Sequence, residues 1–281
     1  MKFIPGHFKK KLRRYKRKAK KVYSPKLDLA GFRRILTDTL QISKGDTVLV
    51  HTSFGNLYPG FSPLQGIECL VDIIGDEGNI LMPNYPPGKS YQWIKEKNIF
   101  DVRNNPVGTG ILARTFGNYK GVKKSIHPIK SLAVWGKDRD YLISEHHLSV
   151  TPYDQKSPYY KMMELKNPKS IGLGTLSNSF IHCCEDNIDE HPKTMYNNEL
   201  FEIECINENG EPITVNTHAH DPAVVEASIS SSKFLKKYNC PYLNEHYISN
   251  TYYFDCSVKD IYKFVRDIAI RGIFRITTHE N

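Results

Sequence analysis

Apolar residues return every three or four positions through LAGFRRILTDTLQI (residues 29–42), so this stretch predicts an amphipathic helix that stops near SKGD. TVLVHTSF (47–54) is β-branched and predicts a strand. SPLQGIECLVDIIGDEG (62–78) predicts a helix closed by glycine, and NILMPNYP (79–86) a strand stopped by prolines. Further strands are predicted at SLAVWG (131–136), SIGLG (170–174), LFEIECI (200–206) and NTYYFDC (250–256). Helices are predicted at GTGILARTFGN (108–118), SPYYKMMEL (157–165), SFIHCCEDNID (179–189) and KDIYKFVRDIAIRG (259–272). Strands alternating with helices, without internal repeats, predict an α/β layered sheet. The expected organisation is a single domain over residues 25–281, preceded by an arm over residues 1–24.

The arm changes the reading of the charge. Residues 1–21 contain eleven Lys or Arg and no acid, more than the +9 of the whole chain, so the remainder is slightly acidic in balance. A basic groove across the fold is not expected, and nucleic acid is disfavoured as a partner of the body. Within the arm Phe8, Leu12, Tyr15, Ala19 and Val22 share one helical face with cations around the rest. That pattern fits a helix lying on an anionic membrane surface; a disordered basic tail and an RNA-binding arm remain open. No apolar run has the roughly 20 residues needed to span a bilayer, and none follows the basic N-terminus as a secretory signal requires. The expected location is cytoplasmic, with the arm allowing a peripheral place at the inner face of the membrane. The six cysteines, at 69, 183, 184, 205, 240 and 256, form no C-x-x-C and read as reduced thiols.

Candidate chemistry gathers where strands give way to helices. Gly108 and Gly110 in VGTGILARTF, and Gly172 and Gly174 in IGLGTLSNSF, precede helix starts whose amides could bind a phosphate or an oxyanion, or could simply turn the chain. Neither loop matches G-x-x-x-x-G-K-[ST] or a complete G-x-G-x-x-G. In NSFIHCCEDN, a helix capped by Ser177 or Asn178 would carry His182, Glu185, Asp186 and Asp189 on one ionisable face beside an apolar stripe of Ile181, Cys184 and Ile188. His182 and Cys183 diverge on such a helix, so no metal site is expected. A carboxylate three residues after a histidine can fix its tautomer and keep it basic, which suits a general base; a packing histidine stays open on these residues alone.

In order along the chain stand VHTS (His51, Ser53), DEGNILMP, FD (Phe100, Asp101), P-x-G-T-G (Pro106 to Gly110), S-x-H-P-x-x-S (Ser125, His127, Pro128, Ser131), SPY (Ser157 to Tyr159) and G-x-x-x-N-S-x-x-H-x-x-E (Gly174, Asn178, Ser179, His182, Glu185), closed by YYFDCSVKDIYKFVRDIAIRGIF. Over residues 28–275 this series resembles the aminoglycoside 3-N-acetyltransferase family. The resemblance implies a three-layer α/β/α fold with a central mixed sheet, distinct from GCN5-type acetyltransferases, and acetyl-CoA as co-substrate with no metal. It implies His182 as base, oriented by Glu185 or another nearby acid; since no cysteine need carry the acyl group, direct transfer to an acceptor amine is expected over a ping-pong route through Cys183 or Cys184. His51, Thr52, Ser53, Gly108, Thr109, Gly110, Ser125 and His127 fall to the cofactor side, and Tyr85, Asp101, Tyr159 and Asn178 to the acceptor side. His127 is the reserve base.

Departures from the family pattern, NYPPGKSYQWIKEKNIFD before Asp101 and VNTHAHDP with Asn216, Thr217 and His218, are short or mixed in charge where a polycation site would be acidic. Together with the arm they favour an amino sugar acceptor, nucleotide- or lipid-linked, in surface polysaccharide synthesis. The alternatives are an aminoglycoside 3-N-acetyltransferase conferring antibiotic resistance and a non-catalytic membrane- or RNA-associated protein. Oligomeric state is left open.

Overall fold

The computed structural model describes residues 25–190 and 195–275. The expectations for the arm, residues 1–24, lie outside the described residues. Among the described residues ten strands are present: β1 Thr47–Thr52, β2 Asn79–Pro83, β3 Phe100–Asp101, β4 Lys123–Lys124, β5 Leu132–Gly136, β6 Pro168–Leu173, β7 Phe201–Ile206, β8 Pro212–Thr217, β9 Asn244–Ile248 and β10 Thr251–Ser257. Seven form one sheet in the order β4-β5-β2-β1-β6-β10-β9, and β3, β7 and β8 form a second. In the large sheet β1 pairs parallel with β2 and β6, while β5 and β10 join antiparallel on either side. The sheet is therefore mixed, as expected.

Helices cover both faces. On one lie α1 (Leu29–Arg34, continued by π-helical turns over Ile35–Thr39), α2 (Pro63–Ile74) and α3 (Ile111–Phe116). On the other lie α4 (Phe180–Asn187), α5 (Ser231–Lys237) and α6 (Val258–Ala269). The two-residue side-chain period of β1 explains the division: Val48 and Val50 enter the core with Ile67, Leu70 and Phe116, whereas Leu49 enters the core with Phe180, Ile181 and Val265. His51 shares the Leu49 parity, so the alternation turns its ring toward the α4 layer at the carboxyl end of β1. Ligand sites of layered α/β sheets gather at such strand ends. Local chemistry sets the helix ends. Ser62 and Gln65 close a reciprocal capping box on α2, and Ser257 accepts the Asp260 N–H at the start of α6. Gly172 admits Phe254 across the sheet, since a Cβ there would stand 2.0 Å from the phenyl ring.

Among the described residues, no helix is long and apolar enough to cross a membrane.

Candidate active site

Asn178, rather than Ser177, prepares the start of α4. Its Oδ1 accepts the Phe180 N–H at 3.1 Å and the Ser170 hydroxyl at 3.0 Å, and its amide faces Cys256 Sγ. A second brace comes from His51, whose Nε2 accepts the Ser179 N–H at 2.9 Å and lies 2.7 Å from Ser179 Oγ. Because Nε2 is an acceptor, the His51 proton resides on Nδ1. Burial pushes this imidazole down to about 4, so it is neutral across the physiological range.

The helix so anchored turns Glu185 into the core and leaves His182 and Asp186 half-buried, while Asp189, beyond its end, is exposed. Glu185 is 1% exposed, and the half-buried Asp186 accepts from the Tyr196 hydroxyl and, at 3.1 Å, from the Tyr153 N–H. His182 Nδ1 lies 2.9 Å from Glu185 Oε2. Arg275 completes the arrangement, donating from Nε to Glu185 Oε1 and from Nη2 to Oε2 at 2.9 Å. Burial alone would raise the Glu185 carboxyl, but its bond to His182 and the charges of His182 and Arg275 more than offset this and hold it well below the usual carboxylate range. An ionised Glu185 fixes the proton of His182 on Nδ1. Nε2 has no partner among the described residues. Burial, then the Arg275 charge, lower the His182 imidazole against the opposing pull of Glu185, so the ring is neutral near pH 7.

Aromatic rings surround this base. His182 stacks on Tyr153 at 5.3 Å and meets His220 at 4.9 Å; Tyr153 meets Tyr159 edge-on at 4.7 Å, and the Tyr159 hydroxyl bonds that of Tyr85. Tyr85 reaches a cavity of about 800 Å³ at the carboxyl end of β1, whose wall includes His51, Thr52, Ser53, Gly108, Thr109, Gly110, Thr175 and Ser179. Gly108 packs against the Pro86-Pro87 turn, where a Cβ would stand 2.6 Å from Pro87 Cα. Gly110 has φ 108°, a conformation open to glycine. The Gly108 and Ser53 amides are spent on Tyr85 O and Leu173 O, which removes both as oxyanion or phosphate donors. The Thr52 hydroxyl at this wall is buried without a partner among the described residues, as are both amide atoms of Asn84. An elongated polar ligand therefore has both room and an orphaned hydroxyl to meet.

Seven residues expected to bind ligand line this cavity: His51, Thr52, Ser53, Tyr85, Gly108, Thr109 and Gly110. Four others are corrected by their partners. Ser125 is wholly buried between His146 Nδ1 and the Leu132 N–H, and His127 is wholly buried with Nδ1 accepting from Ile129 and Lys130 and Nε2 facing Thr217 Oγ1. Both hold loops, and His127 has no access as a reserve base. Asp101 is consumed by Arg103 and Asn104 in its own turn, and Asn178 by the start of α4. Tyr159 stands behind Tyr85. Missed by sequence reasoning were Arg275, Lys130, Tyr153, Ser179 and His220. Ser179, Lys130 and His220 stood inside quoted stretches, and Arg275 and Tyr153 carried no local signal.

The cysteine thiols of α4 are inert. Burial pushes Cys183 and Cys184 well above the ordinary thiol range, and both sit in the core. Among the described residues no group of three His, Cys, Asp or Glu side chains is placed to hold a metal ion.

The sequence model described as Aminoglycoside 3-N-acetyltransferase matches residues 49–268, and the chain belongs to that family. It is similar to the SPbeta prophage-derived aminoglycoside N(3')-acetyltransferase-like protein YokD of Bacillus subtilis (strain 168), with 30% identity over 141 residues. That match covers 44% of this chain and 52% of YokD, so the chain spans about half the length of this curated relative. Among solved structures the fold resembles AAC-VIa bound to sisomicin (TM-score 0.72, 18% identity, covering 88% of this chain and 99% of that one). It also resembles AAC-IIIb in a binary complex with CoASH (TM-score 0.68, 17% identity, 90% and 99% covered).

Proposed function

We propose that the protein is a CoA-dependent N-acetyltransferase acting on an amine of an aminoglycoside-type amino sugar. The observation that carries this reading is the Arg275–Glu185–His182 chain, joined through the Tyr153, Tyr159 and Tyr85 rings to the cavity at the end of β1. Acetyl-CoA, lying along His51 to Ser53 and Gly108 to Gly110, would supply a thioester carbonyl as electrophile. His182 Nε2 takes a proton from the acceptor nitrogen as the C–N bond forms, and releases it to the departing sulfur as the C–S bond breaks. Glu185 holds the Nδ1 proton throughout and favours the imidazolium that forms; Arg275 keeps Glu185 ionised. Base catalysis of this kind contributes about 10²- to 10⁴-fold.

The buried, protonated state of Cys183 and Cys184 supports direct transfer over an acyl-cysteine route. The names of the matched proteins favour an aminoglycoside-like acceptor, which reverses the ranking drawn from the sequence; the polysaccharide reading leaned on the arm and finds no support among those names. We retain, as part of the proposal, one catalytic unit over residues 25–281 and an arm that meets an anionic membrane surface.

Thioester cleavage of acetyl-CoA in the presence of a panel of aminoglycosides and simpler amino sugars tests the reading. Acceptor-dependent release of CoA thiol, with acetyl amide in the product, is expected. CoA binding without transfer to any amine would contradict it.

A further inference from the structure

The charges around His182 do not match a polycation. Glu185 is held by Arg275 and His182, and the half-buried Asp186 accepts from Tyr196 and Tyr153, its carboxyl pushed up to about 7 by desolvation. Asp154 accepts from the Ser149 hydroxyl and the Val150 and Lys156 amides. Each carboxylate near the base thus has internal donors. Lys130 differs. Its Nζ lies 4.5 Å above the centre of the Tyr85 ring, burial lowers its ammonium to about 8, and among the described residues it has no ion-pair partner. Burial first, and the Lys130 charge as a lesser cause, lower the imidazoles of His182, His220 and His127.

The framework aims this lysine. His127 Nδ1 accepts the Lys130 N–H at 3.2 Å, fixing the turn, while His127 Nε2 lies 3.3 Å from Thr217 Oγ1 at the end of β8. Three residues beyond Thr217, His220 is 7% exposed, and its Nε2 has no partner among the described residues. A buried ring nitrogen left unpaired, within reach of the Lys130 charge, is costly unless a ligand answers it. An anionic oxygen would do so, taking the charge of Lys130 and an N–H from His220.

From the juxtaposition of Lys130, Tyr85, His220 and His182 we infer that the acceptor carries an anionic substituent, a phosphate or a carboxylate, near its reacting amine. This rests on the acetyl-transfer chemistry of the proposed function and replaces its polycationic acceptor with an amino sugar that bears an anion. Lys130 sets specificity, and His182 remains the base. One charged hydrogen bond of this kind is worth about tenfold or more in discrimination.

The test uses the full chain with glucosamine, glucosamine 6-phosphate, the corresponding amino uronic acid and kanamycin, comparing kcat/KM and, separately, calorimetric binding. Wild type is expected to favour at least one of the two anionic acceptors over glucosamine by about tenfold. The phosphate and carboxylate arms identify which anion fits. Lys130→Ala should bring the ratio toward one mainly through KM, Lys130→Arg should keep it, and Lys130→Glu should turn it toward kanamycin. A wild-type preference for kanamycin, or a ratio unmoved in Lys130→Glu, would overturn the inference while leaving acetyl transfer intact. Lys130-dependent binding of glucosamine 6-phosphate without turnover would uphold the anion site and sink the transferase reading instead. Absence of both anion preference and anion binding refutes the site.

Discussion

Arg275 places its guanidinium across both carboxylate oxygens of Glu185, joining the end of the described chain to the middle of α4. That pair sets the protonation state on which the base depends, because Glu185 is 1% exposed and would otherwise resist ionisation.

Removing the guanidinium leaves an uncompensated buried charge. Arg275→Ala should destabilise the fold by about 3 to 5 kcal/mol, whereas the double variant Arg275→Ala, Glu185→Gln should recover part of the loss. Urea denaturation of the set measures this, and a loss under about 1 kcal/mol in the single variant would show that the pair is not closed in solution.

The same pair sets the acid stability. Since folding holds the Glu185 carboxyl below its ordinary 4.5, its contribution is present above that pH and fades as pH falls toward the lower folded value. Wild type should therefore lose stability below pH 4.5 more steeply than Glu185→Gln. Parallel melting curves across that range would count against an ionised Glu185.

Of the fold, the central strands and covering helices were legible because their patterns are local: the β-branched run of β1, the apolar stripe of α2 and the amphipathic face of α6. β8, β9 and α5 were not, since β8 exposes every second residue and takes its place from pairing with β7. His182 and Glu185 could be paired from sequence because three residues on a helix bring side chains together. Arg275 joins Glu185 across 90 residues, a tertiary contact without a local pattern. Ser125, His127, Asp101 and Asn178 misled for a related reason: short motifs mix residues that meet a ligand with residues that hold the loops presenting it.

Cys183→Ser and Cys184→Ser should retain transfer, with each hydroxyl costing about 1 to 3 kcal/mol of stability where it replaces a thiol in the core. Intact-mass measurement during turnover is expected to find no acetylated cysteine. A kinetically competent acetyl-cysteine would overturn direct transfer.

Gly108→Ala puts a methyl against the Pro86-Pro87 turn and displaces the cavity wall. The expected effect is a KM for acetyl-CoA raised by about tenfold, at a stability cost of about 1 to 3 kcal/mol. An unchanged KM would move the pantetheine path away from this wall.

Deleting residues 1–24 should release the protein from anionic vesicles while preserving turnover with a soluble acceptor, because every residue assigned to chemistry lies beyond Lys44. Cosedimentation at two salt concentrations reads the effect, each Lys or Arg near the surface contributing on the order of 1 kcal/mol. Vesicle binding that survives the deletion would remove the arm from that role.

The central claim is that His182 is the base and Glu185 its orienting partner, and single-turnover acetyl transfer by His182→Ala tests it most directly. The account predicts a rate lower by about two to four decades, acetyl-CoA affinity within about twofold of wild type, and a wild-type acid limb with its midpoint below the ordinary 6.5 of histidine. Wild-type rates in His182→Ala, with that acid limb unchanged, would contradict it.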